Sequence, residues 1–284
     1  MSHISTPAGA AGAAGQPAGM PMRPGAEWTP VRRALVIAGA AVIAATWLYV
    51  VLARPTEWEN VTDSTQGIIT LAGYGIGTVL LLIATIPVLP ARTLGLIPIA
   101  MIINSLIGQI VGSIGLPLYL DTIGTVIVAA LAGPVAGMTT GALNNVVWGL
   151  LTPAALPFAA GAALVGYLSG LFIHKFHAFK NIGTVIFYGL ILGLIGGAVA
   201  APVAAFVYGG TAGVGTGALV SLFREMGQSL IASVTTQAFI SDPIDKVIVM
   251  LIGYFTVKAL PKKTVDAFAP REGLGSKGAV AATV

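Results

Sequence analysis

Long apolar runs with few charged residues constrain this chain more than any other feature. The longest, Ile182 to Tyr208, contains no charged side chain and exceeds the roughly 20 residues that a helix needs to cross a bilayer core. Asp, Glu, Lys and Arg make up only 8% of the 284 residues, against about 25% in soluble domains. Because the runs are continuous rather than alternating, the sequence predicts an all-α integral membrane protein with polytopic helices, not a barrel.

Eight apolar segments are predicted to cross the membrane. They cover residues 31–53, 67–89, 94–114, 122–132, 135–151, 156–173, 182–208 and 243–260. The last segment has a clear predicted start, with Asp242 as N-cap, Pro243 at the first helical position and Asp245 at the third. The preceding segment, 218–238, carries charged residues and is predicted to be re-entrant or to lie along the membrane surface.

Charge and composition predict the orientation and the ends of the chain. Arg and Lys cluster at the ends of apolar runs, and they fall on one side if eight spans alternate, which predicts a multi-pass cell-membrane protein with both termini cytoplasmic. The Ala, Gly and Pro-rich residues 1–29 and the tail 264–284 are expected to be disordered. Between them we expect two N-terminal transmembrane helices, 30–91, and a membrane core, 92–263.

The stretch from Gly115 to Trp148 concentrates polar groups in an apolar background. Such groups are costly in hydrocarbon unless they meet a partner or a ligand. Asn144 and Trp148 share one helix face with Thr140, and Asn145 lies about 100° away. Two interpretations remain open: a ligand pocket in which Trp148 stacks on the ligand, or interhelical amide hydrogen bonds plus an interfacial tryptophan.

The proline-containing turn 116–122 supplies two more candidates. Asp121 stands at the outer end of a short helix, where a structural cap is favoured over a ligand contact. Tyr119 is interpreted first as an interface aromatic residue. Because Pro117 precedes it, the turn is also a candidate lid over a pocket.

Two further polar groups lie towards the C-terminus. Arg224 and Gln228 are four residues apart, and an unpaired arginine at bilayer depth costs about 2.5–3.5 kcal/mol. Two interpretations of this pair remain open, ligand binding and an internal salt bridge. An arginine in a pocket would favour an anionic or carbonyl-rich solute. Asp242 and Lys246, also four apart, are predicted to pair on a helix surface.

The third predicted span contains candidate residues for a ligand pocket and for helix contacts. Asn104 and Gln109 either join a pocket or bridge helices. Gly108 and Gly112 form a GxxxG pair, which is typical of a close helix contact.

Several kinds of chemistry find no support in the sequence. The chain has no cysteine and no GxxxxGK[ST] phosphate loop, and His174 and His177 lack nearby carboxylate partners. No nucleophile stands beside a base, so we expect neither an enzyme nor a bound metal or cofactor. Nucleic-acid binding is disfavoured because the basic residues cluster at the ends of apolar runs.

The order of four motifs resembles a known family. They are Thr93-Leu94-Gly95-Leu96-Ile97-Pro98-Ile99-Ala100, then Leu116-Pro117-Leu118-Tyr119-Leu120-Asp121-Thr122-Ile123-Gly124-Thr125, then Gly133-Pro134 before the helix bearing Asn144-Asn145, and Ser241-Asp242-Pro243-Ile244-Asp245-Lys246 leading to Lys258-Ala259-Leu260-Pro261. Over residues 92–263 this pattern is similar to the substrate-specific S component of energy-coupling factor transporters, which are ABC-type transporters.

The resemblance implies a six-helix membrane subunit that captures a vitamin or similar micronutrient from outside. Its partners would be a transmembrane coupling subunit and two ATPase subunits. The chain departs from the family by its two extra N-terminal spans and by lacking a clear alanine-x-x-x-alanine motif in the third span, where Gly108 and Gly112 would form the partner contact.

These observations predict a substrate-binding transport subunit that depends on an ATPase in trans. The predicted substrate-binding residues are Tyr119, Asp121, Asn144, Asn145, Trp148, Arg224 and Gln228. A stand-alone secondary transporter is the alternative, disfavoured because the acidic residues mostly fall at predicted helix ends. An intramembrane enzyme is a third class, and it lacks a catalytic constellation.

Overall fold

The described chain is all-helical, without strands, and in this computed structural model it comprises residues 28–55, 64–210 and 213–270. The α-helices are α1 (Pro30–Ala53), α2 (Thr65–Thr85), α3 (Ala91–Ser113), α4 (Ile123–Ala132), α5 (Pro134–Gly149), α6 (Ala159–His174), α7 (Ile182–Tyr208), α8 (Val214–Glu225), α9 (Leu230–Ala259) and α10 (Lys262–Phe268). Two 3-10 helices, Pro153–Phe158 and Ala178–Lys180, precede α6 and α7.

Five helical segments are long and apolar enough to cross a bilayer. They are α1, α2, α3, the continuous segment Pro153–His174 and α7. These segments make the chain a multi-pass membrane protein whose described part is all-helical. Helix α4 is apolar but has only 10 residues, about 15 Å at ~1.5 Å per residue, which is half of a bilayer core.

Helix α9 differs from the prediction at its start. It runs without a break from Leu230, with Ser229 as N-cap, and Pro243 lies inside it, so the predicted N-cap role of Asp242 is wrong. Segment 218–238 is correspondingly divided between α8 and the first turns of α9. The physical reason is packing: a Cβ on Gly193 of α7 would come within 2.3 Å of Pro243 Cα, so the two helices touch where the proline interrupts the hydrogen-bond ladder.

Small residues allow the helices to approach closely. Gly189, Gly193 and Gly197 form one face of α7, and a Cβ on any of them would lie 2.3–2.9 Å from an atom of α9. A Cβ on Gly137 or Gly141 of α5 would likewise come within 2.2–2.4 Å of an atom of α6. Such contacts stabilise a bundle in lipid, where burial of apolar surface gives no advantage over contact with acyl chains.

The two N-terminal helices belong to the same bundle. Helix α1 packs against α2, and the Trp47 indole N–H donates to the Val199 carbonyl of α7 at 3.1 Å. The fully buried Tyr74 of α2 donates its hydroxyl to the Pro157 carbonyl in the first 3-10 helix at 3.2 Å. The helices that the resemblance leaves unexplained thus support the core directly.

The described part of the C-terminal tail is ordered. Residues 264–268 were expected to be disordered, but they lie in α10, where Val265 is buried and the Thr93 hydroxyl donates to the Phe268 carbonyl at 2.6 Å. Residues 1–27 and 271–284 lie outside the described residues, and the predictions made for them stay predictions.

Candidate functional site

A cavity of about 280 Å³ lies between α3, the turn 115–122, α5, the first 3-10 helix, α6, α7 and α9. This volume is close to the lower end of the ~300–1,000 Å³ range of small-molecule sites. Five of the predicted binding residues line it, namely Tyr119, Asp121, Asn144, Asn145 and Trp148. We call it the central cavity.

The two asparagines of α5 have different roles. The Asn145 amide donates to the Ala155 carbonyl at 3.0 Å, which ties α5 to the 3-10 helix and forms part of the wall. Asn144 donates to the Asn145 Oδ1 atom at 3.2 Å, while its own Oδ1 atom is buried and accepts no hydrogen bond from the described residues. Asn145 therefore connects α5 to the 3-10 helix, whereas the Asn144 Oδ1 atom is an acceptor without a protein partner in the described chain.

Aromatic rings form a second part of the wall. Trp148 lies one turn after Asn144, and Phe158 lines the cavity from the 3-10 helix. The Phe158 ring stacks on Tyr208 with centroids 5.7 Å apart, and the Tyr208 hydroxyl donates to the Ala154 carbonyl at 2.8 Å. This wall can stack on a flat solute, and it is fixed from behind by α7.

The turn 115–122 is clamped over the cavity by a buried carboxylate. The Tyr119 and Leu120 backbone N–H groups donate to Asp245 Oδ1 at 2.9 and 2.7 Å, and Leu120 adopts a left-handed φ of 50° that brings both groups to the same oxygen. The Tyr119 hydroxyl donates to Thr216 Oγ1 of α8 at 3.1 Å. The turn is therefore held by α8 and α9 at once.

Three carboxylates surround one lysine beside this clamp. Lys246 Nζ lies 2.5 Å from Asp245 Oδ2 and 3.9 Å from Asp121 Oδ1. Asp242 lines the cavity one turn before Lys246, and within the described chain its carboxylate has no hydrogen bond and no ion pair within 4 Å. A surface pair between Asp242 and Lys246 was predicted wrongly, because both residues are buried.

Asp121 does not cap α4 through its side chain. The residue at the N-cap position is Thr122, and no side-chain capping hydrogen bond exists there among the described residues. The Asp121 side chain, 47% exposed, instead faces Lys246 across the cavity wall. The predicted side-chain cap is therefore wrong, Asp121 lines the cavity, and its contact with a ligand stays a prediction.

Arg224 and Gln228 lie away from the central cavity. Arg224 is exposed and its Nη1 atom donates to the Gln228 carbonyl at 3.4 Å, closing the turn after α8. Neither side chain lines the cavity. Gly227, with a φ of 89°, allows the chain to reverse here and places the pair on the surface. The expectation of an anionic or carbonyl-rich solute, which depended on Arg224, loses its basis.

The glycine pair of α3 also lies at the cavity. Gly108 packs within the chain, since a Cβ there would come within 2.9 Å of Asp121 Cβ. Gly112 has open space around it in the described structure and lines the cavity with Gln109. Asn104 both lines the cavity and bridges helices, donating to Thr125 Oγ1 at 2.8 Å.

Sequence reasoning missed Gln237 and misjudged the neighbouring cavity residues of α9. Ala238, Asp242 and Lys246 follow one another at four-residue spacing and share a face, and Gln237, about 100° away, also lines the cavity. The Gln237 Nε2 atom is buried and donates no hydrogen bond within the described residues. The signal was present in the spacing, but it becomes visible only when the helix is extended back through Pro243.

The described residues contain no group of three His, Cys, Asp or Glu side chains arranged to hold a metal ion. His174 is engaged elsewhere, with Nε2 3.0 Å from the Ala129 carbonyl. No family model, curated protein or solved structure matches this chain.

Proposed function

We propose that this chain is the solute-binding membrane subunit of an uptake system for a small, vitamin-like micronutrient. In keeping with the resemblance to energy-coupling factor S components, a transmembrane coupling subunit and ATPase subunits would supply the energy. The observation that carries the proposal is the central cavity, where the buried Asn144 Oδ1 and Gln237 Nε2 atoms have no hydrogen-bond partner among the described residues.

These two atoms point to a bound solute on energetic grounds. Leaving a buried donor or acceptor unsatisfied costs about 1–3 kcal/mol. A solute that donates to Asn144 and accepts from Gln237 removes both penalties, and the Trp148 and Phe158 rings provide stacking surfaces beside it. A site with a few polar groups on apolar and aromatic walls is typical of small-molecule binding.

The clamped turn supports capture of the solute. Because Asp245 fixes the backbone of Tyr119 and Leu120, the turn is organised before a solute arrives. A preorganised site loses less conformational entropy on binding and binds more tightly.

Mass spectrometry of small molecules released from the detergent-purified chain tests the proposal. We expect one compound at substoichiometric to full occupancy, with the occupancy lowered by Trp148→Ala and by Asn144→Ala. Arg224→Ala is the matched control because it lies outside the cavity. Equal occupancy in the wild type and both cavity variants would refute the proposed site. Dependence of uptake on co-expressed coupling and ATPase subunits tests the energetic part.

A stand-alone secondary transporter remains a second candidate, because one observation favours it. The acidic residues were expected at helix ends, yet Asp242 and Asp245 lie in the middle of α9 and are buried beside Lys246. Buried ionisable groups within membrane helices are frequently part of ion-coupled transport. Uptake by proteoliposomes containing the purified chain alone, driven by an imposed proton gradient, would favour this candidate over the subunit.

A further inference from the structure

We propose that the central cavity selects a positively charged organic solute, with Asp242 as its counter-ion. This inference rests on the proposed function in one respect, namely that the cavity binds a solute. It reverses the charge that Arg224 suggested in the sequence.

The charge distribution is the first argument. Asp121, Asp242 and Lys246 are the charged residues lining the cavity in the described chain, and the buried Asp245 lies directly behind Lys246. Three carboxylates thus face one ammonium group, an excess of two formal negative charges. Arg224, which would have balanced part of this excess, lies outside the cavity.

The geometry singles out Asp242 among the three. Asp245 is satisfied by Lys246 and by two backbone N–H groups, and Asp121 is half exposed and 3.9 Å from Lys246. Asp242 is 7% exposed, and no hydrogen bond or ion pair within 4 Å reaches its carboxylate from the described residues. A buried carboxylate without a close partner is costly. A cation placed against it offsets that cost.

Two observations independent of the acidic cluster indicate a ligand and narrow its chemistry. Asn144 Oδ1 and Gln237 Nε2 belong to cavity-lining residues that are 6% and 5% exposed, and both atoms lack partners in the described structure. A solute with both a hydrogen-bond donor and an acceptor would satisfy them. The Trp148 ring adds a face that attracts cations as well as flat rings. An amine-bearing or cationic heteroaromatic compound meets all of these requirements.

Binding of a matched set of probes to the full chain in lipid nanodiscs tests the inference. The set combines indole, phenyl and pyrimidine rings with 2-aminoethyl, 2-hydroxyethyl or carboxymethyl groups, and equilibrium dialysis with mass spectrometry measures how much of each is retained. On at least one ring we expect the aminoethyl compound to bind about tenfold or more tightly than its hydroxyethyl counterpart, equivalent to ~1.4 kcal/mol. The carboxymethyl compound should bind more weakly still.

Two variants test whether the preference for aminoethyl compounds comes from the Asp242 carboxylate. Asp242→Asn keeps the shape of the side chain and should reduce the amine preference to about twofold or less. Glu225→Gln removes the same charge from the exposed end of α8 and should leave the preference unchanged. If Asp242→Asn does not stay folded by size-exclusion chromatography, Asp121→Asn replaces it, with a partial reduction expected because that side chain is half exposed.

In the probe-binding measurements, three results would overturn the inference: retention of a carboxymethyl probe above its aminoethyl counterpart, retention of no aminoethyl probe, or an unchanged preference in the aspartate variant. The uptake assay and the mass spectrometry of co-purified compounds detect a solute whatever its charge. A neutral or anionic compound released from the purified chain would therefore sink the charge inference while leaving the proposed function standing.

Discussion

Two pairs of polar residues with the same four-residue spacing lie in different environments in this molecule. Asn144 and Trp148 of α5 are four residues apart and line the central cavity, whereas Arg224 and Gln228 at the end of α8 are four apart and lie outside it. Helix α5 packs tightly on α6 through Gly141 and on α2, α3 and α4, while the 12-residue α8 contacts mainly α9 and leaves its last turn exposed. Spacing determines which residues share a face, and packing determines what that face meets.

Charged residues show the same contrast. Glu225 on α8 is exposed, whereas Asp245 on α9 is fully buried and joins Lys246 to the backbone of the turn 115–122. The two carboxylates thus have different roles: Glu225 is exposed at the surface, and Asp245 holds the turn 115–122 over the cavity. Substitutions at the α8 end and at the cavity residues test this contrast.

The largest effect is expected from Asp245→Ala. The substitution leaves Lys246 buried without its closest partner and removes the acceptor for two backbone N–H groups. Removing one member of a buried ion pair typically costs about 3–5 kcal/mol. We expect a drop of that size in the free energy of unfolding, measured by denaturant titration in detergent micelles.

Glu225→Ala is the matched control for this experiment. An exposed carboxylate at a helix end contributes little, so the free energy of unfolding should change by about 0.5 kcal/mol or less. Comparable losses in the two variants would mean that the buried position of Asp245 has no special importance.

An intermediate effect is expected at Gly108. Its Cβ position lies 2.9 Å from Asp121 Cβ, so Gly108→Ala forces the turn 115–122 away from α3 and should destabilise the fold by about 1–3 kcal/mol. Gly112 is one turn later and has open space around it in the described structure, so Gly112→Ala should be neutral or stabilising by about 1 kcal/mol or less. Thermal unfolding of both variants measures the difference, and equal shifts would refute the close contact.

A smaller effect separates the two asparagines. Asn144→Ala removes an acceptor that has no protein partner in the described residues and the donor of one hydrogen bond, to Asn145 Oδ1. Affinity for the co-purified compound should therefore fall about tenfold, while stability falls less than in Asn145→Ala. Asn145→Ala breaks the bond to Ala155 and should lower both stability and affinity. Occupancy by mass spectrometry and thermal unfolding give the two readouts. A loss of stability in Asn144→Ala as large as in Asn145→Ala would mean that Asn144 has a structural role.

Much of the bundle follows from the sequence. The predicted bounds of 182–208 coincide with α7, because a long uncharged run preceded by Asn181 and followed by Gly209 leaves little freedom at either end. The candidates of the turn and of α5 line one cavity, because polar groups in an apolar chain are costly away from such a site.

The start of α9 could not be derived in the same way. Asp242-Pro243 is a strong local signal for a helix start, yet the contact of Pro243 with Gly193 of α7 outweighs it and keeps the helix continuous. The role of Gln237 was hidden for the same reason, since it belongs to turns that the local signal assigned to another segment. Tertiary packing decided both points, and the spacing of the α9 residues becomes informative only once the helix is known to continue through Pro243.

The smallest effect is expected from Arg224→Ala combined with Gln228→Ala. Arg224 donates to the Gln228 backbone carbonyl at 3.4 Å, and the Gln228 side chain accepts from Thr236 at 3.5 Å, both long bonds near the surface. We expect a change of about 0.5 kcal/mol or less in the free energy of unfolding and an unchanged occupancy by the co-purified compound. Both are measured under the same conditions as for the Asn144→Ala variant. Because this pair has the same four-residue spacing as Asn144 and Trp148, a loss of bound compound in the double variant would show that the α8 end reaches the solute, and the contrast between the two pairs would fail.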